Sequence, residues 1–175
     1  MPLPFPTVRG WPCAAAVTAL AILAGCATPA QRLPAGTPVA QVVSDMGEPT
    51  LQCQTPEGGT RLVWSGQPFG QASWATNVRS DGTVTGVEQV LTDASFAQLR
   101  KGQWHADQVR CMFGPPATIT GVGTPGNTQL VWSYAYKQDT VWNSLMHVFF
   151  DDAGYVTHLH PGPDPDYDPD RTFGR

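Results

Sequence analysis

Gly36-Thr37-Pro38-Val39-Ala40-Gln41-Val42-Val43-Ser44-Asp45-Met46-Gly47-Glu48-Pro49 decides how this chain is built, because its pattern occurs twice. The second copy starts at Gly102 and runs through Gln108-Val109-Arg110-Cys111-Met112-Phe113-Gly114-Pro115-Pro116. Gly36 answers Gly102, Val42 answers Val109, Gly47 answers Gly114, and Pro49 answers Pro116. Downstream, Leu62-Val63-Trp64-Ser65 matches Leu130-Val131-Trp132-Ser133, Trp74 matches Trp142, and Asp81-Gly82-Thr83-Val84 resembles Asp152-Ala153-Gly154-Tyr155-Val156. The spacing between partners grows slowly along the chain, as small insertions in turns would make it do. Self-similarity of this length is the mark of a repeated supersecondary unit.

Each copy can be read physically. Thr37 suits an N-cap and Pro38 the first helical position, where a missing N–H costs nothing. Val39, Val42, Val43 and Met46 then fall at i, i+3, i+4 and i+7, one apolar stripe of a short helix. Gly47 suits the left-handed residue that closes such a helix, and Pro49 forbids continuation. The second copy repeats this with Ala106, Val109, Met112 and Phe113 before Gly114. A further helix carrying Phe96 and Leu99 is predicted from Asp93; its counterpart, Thr28 to Leu33, looks degraded or absent.

After each helix the period becomes two. Leu130, Trp132, Tyr134 and Tyr136 share one face of a strand, with Val131, Ser133, Ala135 and Lys137 on the other. Trp142 to Phe150 and Tyr155 to His160 read as two more strands, joined across Asp151-Asp152-Ala153-Gly154. The first copy offers Thr60 to Ser65, Ser73 to Ser80 and Thr83 to Leu91. The expected fold class is α+β: two tandem units, 36–91 and 92–160, each a short helix or helix pair packed on a three- to four-stranded antiparallel meander. A unit of about 65 residues is marginal alone, so two should pack together. From Pro161 to Arg175 proline alternates with acid, which predicts a disordered tail.

Composition agrees with a globular chain: 175 residues, 41% hydrophobic, with 18 Gly and 17 Pro favouring short elements and turns. A net charge of −4, with scattered basic residues, gives no footprint for nucleic acid.

The amino terminus carries an address. Residues 13–24 are apolar but for Thr18, follow Arg9, and are too short to span a bilayer as a helix, which needs about 20 residues. They read as the core of a signal peptide, residues 1–25. Leu23-Ala24-Gly25-Cys26 resembles the lipobox of bacterial lipoproteins, which implies acylation of Cys26 and a lipidated linker over 26–35. Acyl chains contribute roughly 0.8 kcal/mol per buried CH₂, so several would hold the protein to the membrane permanently. Ala27 after the cysteine, by the same resemblance, implies the outer membrane and its periplasmic face. Cys53 and Cys111 remain. In an oxidising compartment they can pair, closing about 58 residues and adding roughly 4 kcal/mol; equally, each can sit apart as a small buried hydrophobe.

The run Gly-Thr-x-x-x-x-Val-x-x-x-x-Gly-x-Pro, followed by a Trp-bearing strand and an Asp-Gly hairpin, resembles the SmpA/OmlA (BamE-like) family of outer-membrane lipoproteins. The likeness covers roughly residues 30 to 160. Its doubling resembles the tandem layout of β-lactamase inhibitor protein. What this implies is a small fold that works by binding proteins, with the β-barrel assembly machine a candidate partner. Members of the family usually have one unit, and two here depart from that pattern.

No Gly-x-Ser-x-Gly, His-Glu-x-x-His or phosphate-binding glycine loop occurs. His158 and His160 share a strand face but lack an evident third ligand, and the tail carboxylates Asp164, Asp166, Asp168 and Asp170 fit a spacer better than a calcium site. No catalytic residues, metal or cofactor are therefore expected. Tyr134, Tyr136 and Trp142 are the candidate interface, taken to lie on an open sheet face. The expected function is a noncatalytic lipoprotein that binds an envelope protein and supports outer-membrane assembly or integrity. The alternative is an inhibitor of a periplasmic enzyme such as a β-lactamase.

Overall fold

The computed structural model of the chain describes residues 28–56 and 58–167. The expected signal peptide and the lipobox-like Leu23–Cys26 lie outside them, as does the expected tail beyond Tyr167. No helix among the described residues is long and apolar enough to cross a membrane.

Two helices and four strands come first: α1 (Pro29–Arg32), α2 (Val39–Met46), β1 (Leu51–Gln54), β2 (Thr60–Ser65), β3 (Ser73–Val78) and β4 (Glu88–Gln89). The order then repeats as α3 (Asp93–Gln98), α4 (Ala106–Phe113), β5 (Thr118–Thr124), β6 (Asn127–Gln138), β7 (Trp142–Phe150) and β8 (Val156–Pro163). Each half forms its own antiparallel sheet, with strands in sequence order.

This corrects the expected fold class. Strand makes up 42% and helix 21% of the described residues, which form two four-stranded antiparallel sheets with a few short helices, not two units of helix packed on sheet. The helices have four to eight residues, one or two turns, too short to cover a sheet of their own. Packing also ignores the boundary between the halves: α4 lies on β1, β2 and β3, the sheet of the first half. The main core gathers Val63 and Ala75 of the first sheet, Phe96 of α3 with Leu99 just after it, Val109 and Phe113 of α4, and Trp132, Tyr134, Tyr136 and Phe150 of the second sheet. Thus α3 and α4 are shared filling between the sheets. Phe96 is central, with its ring 4.7 Å from Phe113 and 5.1 Å from Tyr136. A smaller core packs Leu33 and Val42 against Leu62, Trp64, Val84 and Val87.

Helix ends follow local chemistry. Thr92 accepts the Ser95 N–H at 3.1 Å and starts α3. His105 starts α4, with its own N–H donated to Gln108 Oε1 at 2.9 Å. For α2 the N-cap is Pro38, one residue past the expected Thr37, whose hydroxyl donates to the Pro34 carbonyl instead. The degraded first helix survives as the single turn α1. At the C-termini, Gly47 and Gly114 have φ +78° and +87° with ψ near 180°, a conformation essentially confined to glycine.

Several strand assignments change. β1, and β5 with the Pro125-Gly126 turn that joins it to β6, were not among the expected strands, and the strand expected over Thr83 to Leu91 is confined to β4, with isolated bridges at Thr83 and Val84. The tail begins later than Pro161, because β8 runs through Pro163, with Pro161 opposite Met146 and Pro163 opposite Ser144. Proline is tolerated there because β8 is a sheet edge, where a missing N–H removes no ladder bond.

Candidate functional site

Where the halves meet, side chains of the first sheet terminate a helix of the second half. Arg61 on β2 donates from Nε to the Cys111 carbonyl at 3.2 Å and from Nη2 to the Met112 carbonyl at 3.3 Å, while Nη1 donates to Asn77 Oδ1 at 3.0 Å. These are last-turn carbonyls of α4, which lack intrahelical donors and sit at the negative end of the helix dipole. Burial pulls the guanidinium pKa down and Glu88, 3.8 Å away, opposes the fall. Beside it Cys53 of β1 is disulfide-bonded to Cys111 of α4, with Cα atoms 5.9 Å apart.

A cleft of about 760 Å³ opens next to this junction, lined among others by Gln54, Arg61, Glu88, Gln98, Trp104 and Met112. The Arg61 cluster just described is part of its lining, and those donors are largely spent on protein acceptors. Among the described residues no nucleophile and base are brought together in it, and the two cysteines on its wall are bonded to each other.

The outer face of the second sheet carries three histidines. His147 lies opposite His160, and its Nδ1 is 2.8 Å from Ser133 Oγ. Phe149 stacks on His158 at 4.0 Å and on His160 at 5.2 Å. His158 and His160 share the face that their spacing requires, and both rings are engaged with the phenyl ring. Burial, then the charge of His160, lowers the His147 pKa. No group of three or more metal-ligating side chains converges among the described residues.

The interface candidates separate. Tyr134 and Tyr136 are 0% exposed, and this removes them from any open sheet face. The Tyr134 hydroxyl donates to the Gly114 carbonyl at 3.2 Å and that of Tyr136 to Asp93 Oδ1 at 3.0 Å. Burial pushes both phenols up, helped at Tyr136 by the Asp93 carboxylate. Their alternation with Val131, Ser133 and Ala135 was read properly, but the face they share is the one turned onto α3 and α4. Trp142 is 67% exposed. Val141 beside it is exposed too, and so is Phe69, 97% accessible in the loop between β2 and β3. That loop is tied to the second sheet two residues earlier, through Gln67 and Ala135. Ala135 and Gln138, the residue opposite Trp142, are about 10 Å apart along β6, so Phe69 and Trp142 belong to the same end of the sheet.

Arg61, Gln67 and Phe69 were all missed. No sequence signal marks Arg61 or Gln67 as bridging residues; an isolated Phe within Gly66-Gln67-Pro68-Phe69-Gly70 was a visible cue, since a turn segment offers no core to bury it. Neither a family model, nor a curated protein, nor a solved structure matches the chain.

Proposed function

We propose that this is a noncatalytic lipoprotein, anchored by Cys26 to the outer membrane and facing the periplasm, that serves as a protein-binding adaptor in outer-membrane assembly or envelope integrity. The lipobox supports the anchor, and the Cys53–Cys111 bond fits an oxidising compartment. The repeated glycine-proline motif, similar to that of the SmpA/OmlA family, supports a role through protein contact and makes the β-barrel assembly machine the first partner to try. The observation that carries the reading is large apolar side chains held in solvent on a braced body: Phe69, Val141 and Trp142. Aromatic residues of this kind are what protein interfaces use as anchors.

The test is photo-crosslinking in intact cells, with the crosslinking residue at position 69 or 142. Capture of a discrete envelope protein at both positions is expected. No capture at either, together with hydrolase activity of the purified chain, would reject the adaptor. Phe69, projecting from a short tethered loop, equally suits insertion into an enzyme cleft, so inhibition of a periplasmic enzyme such as a β-lactamase is the second reading. Titration against such enzymes separates the two, because an adaptor leaves their rates unchanged.

A further inference from the structure

The two sheets have four edges, and three of them are blunted. β1 is four residues long and bonded through Cys53 to α4; β4 is two residues; β8 carries Pro161 and Pro163. Short strands and prolines are the devices by which sheets avoid pairing with other chains. β5 has none of them. Thr118-Ile119-Thr120-Gly121-Val122-Gly123-Thr124 is seven residues without charge or proline, and every one is exposed. Among the described residues only β6 pairs with it.

Its open side is defined by the hairpin. The two-residue turn Pro125-Gly126 makes Thr124 and Asn127 the first hydrogen-bonded pair, and antiparallel alternation then directs Val122, Thr120 and Thr118 toward β6. The backbone N–H and C=O groups of Ile119, Gly121 and Gly123 therefore point outward. Those three positions are spaced symmetrically about Gly121. Two copies of β5 laid antiparallel on a two-fold axis through Gly121 pair Gly121 with Gly121 and Ile119 with Gly123. Thr120 then faces Val122 and Thr118 faces Thr124 across the same axis.

Every contact in this register is tolerant. Ile119 meets a glycine, so its side chain has room. Thr and Val are both β-branched residues that suit strands, and nothing in either repels the other. No charge repels its own image, which is the usual obstacle to self-pairing of an edge. The exposed side chains of Ile119 and Val122 lie on opposite faces of the joint and would both lose water on pairing.

We infer that the partner of this edge is a second copy of the same chain, β5 to β5, fusing the two second-half sheets into one eight-stranded sheet with a two-fold axis at Gly121. The contact is isologous and closes after two copies, so it yields a dimer and not a fibre.

The experiment uses the full chain in detergent, with Thr118→Cys and Thr124→Cys made separately. In the proposed register these positions face each other at a non-hydrogen-bonded pair, roughly 4.5 Å between Cα atoms, whereas Thr118 lies about 20 Å from its own image. Under mild oxidation, mixing the two variants is expected to give several-fold more covalent dimer than either alone, above the background of the parent chain. Adding Ile119→Lys to both should return the yield to background with near-ultraviolet circular dichroism unchanged; if that variant loses its fold, Val122→Lys serves, since its side chain lies on the other face. Equal yields from the mixture and the single variants would overturn the proposal. Capture of a different protein at Thr118→Cys in cells, with no copy-to-copy product, would overturn it too and assign the edge to another chain's strand.

Discussion

The side-chain amide of Gln67 takes the place of a missing strand beside Ala135. Its Nε2 donates to the Ala135 carbonyl at 2.8 Å and its Oε1 accepts the Ala135 N–H at 3.1 Å. β5 stops pairing with β6 at Ser133, so this stretch of β6 would otherwise present an unpaired edge. The same Nε2 also donates to the Gly70 carbonyl at 2.7 Å, fixing the loop that carries Phe69. Gln67→Ala should cost about 1 to 3 kcal/mol, because it strands backbone groups of a buried residue. Urea unfolding checks this, with the midpoint lowered and the slope unchanged. The same variant should lower crosslinking from position 69 more than from position 142.

Gly47 and Gly114 are the same landmark in the two halves, and they should not respond alike. Both occupy a backbone region that is strained by about 1 to 3 kcal/mol for other residues. A Cβ at Gly47 meets nothing within 4 Å, whereas at Gly114 it would lie 3.1 Å from Ser65 Cβ and 3.2 Å from Val63 Cγ1. Gly114→Ala should therefore be the more destabilising of the two, and paired thermal melts would show it.

Removing Arg61 should separate the halves energetically. Arg61→Met keeps the aliphatic packing but leaves the Cys111 and Met112 carbonyls and Asn77 without their donor, a loss of roughly 2 to 4 kcal/mol. Arg61→Lys keeps the charge without the fork and should fall between. Denaturant midpoints of the three proteins, compared with the disulfide intact, give the order.

Acid should weaken the fold through His147. Its pKa is lowered in the folded state by burial and by His160, so below the ordinary value of 6.5 the unfolded chain binds the proton more readily. Stability contributed by the neutral ring is therefore present above that pH and lost as pH falls through it. Urea midpoints measured from pH 8 to pH 5 should decline, and His147→Gln should flatten the decline.

Reduction offers a test of the brace between the halves. The Cys53–Cys111 bond closes a separation of 58 residues, worth about 4 kcal/mol in the chain-entropy model. Cys53→Ser with Cys111→Ser should lower stability by up to that amount, and dithiothreitol should destabilise the parent chain but not the double variant.

Legibility in the sequence followed the range of the interaction. The stripe of α2, the start of α3 at Asp93, the span Trp142–Phe150 of β7 and the alternation along β6 were all readable, because each is set by neighbours a few residues apart. β5 is missing from the sequence reading although Thr-Ile-Thr-Gly-Val-Gly-Thr before Pro-Gly is a hairpin signal, because Gly121 and Gly123 interrupt the run of strand-forming residues. Trp64 and Trp132 are both buried, as their matching placement suggests, but they do not make the same bond. Trp64 Nε1 donates to the Gly47 carbonyl at 2.8 Å, yet in the second half the matching Gly114 carbonyl is met by Tyr134, two residues further on the same face.

What the sequence determined alone was the doubled order of helix, turn and strand, since periodicity and the glycine-proline stops act within each segment. Which face of β6 is buried, which sheet α4 covers, and whether Tyr134 and Tyr136 meet solvent were decided only by the tertiary structure. Alternation tells that two faces differ, but burial depends on what the rest of the chain lays against them. Here two short helices, too small to serve one sheet, are stabilised by lying between both.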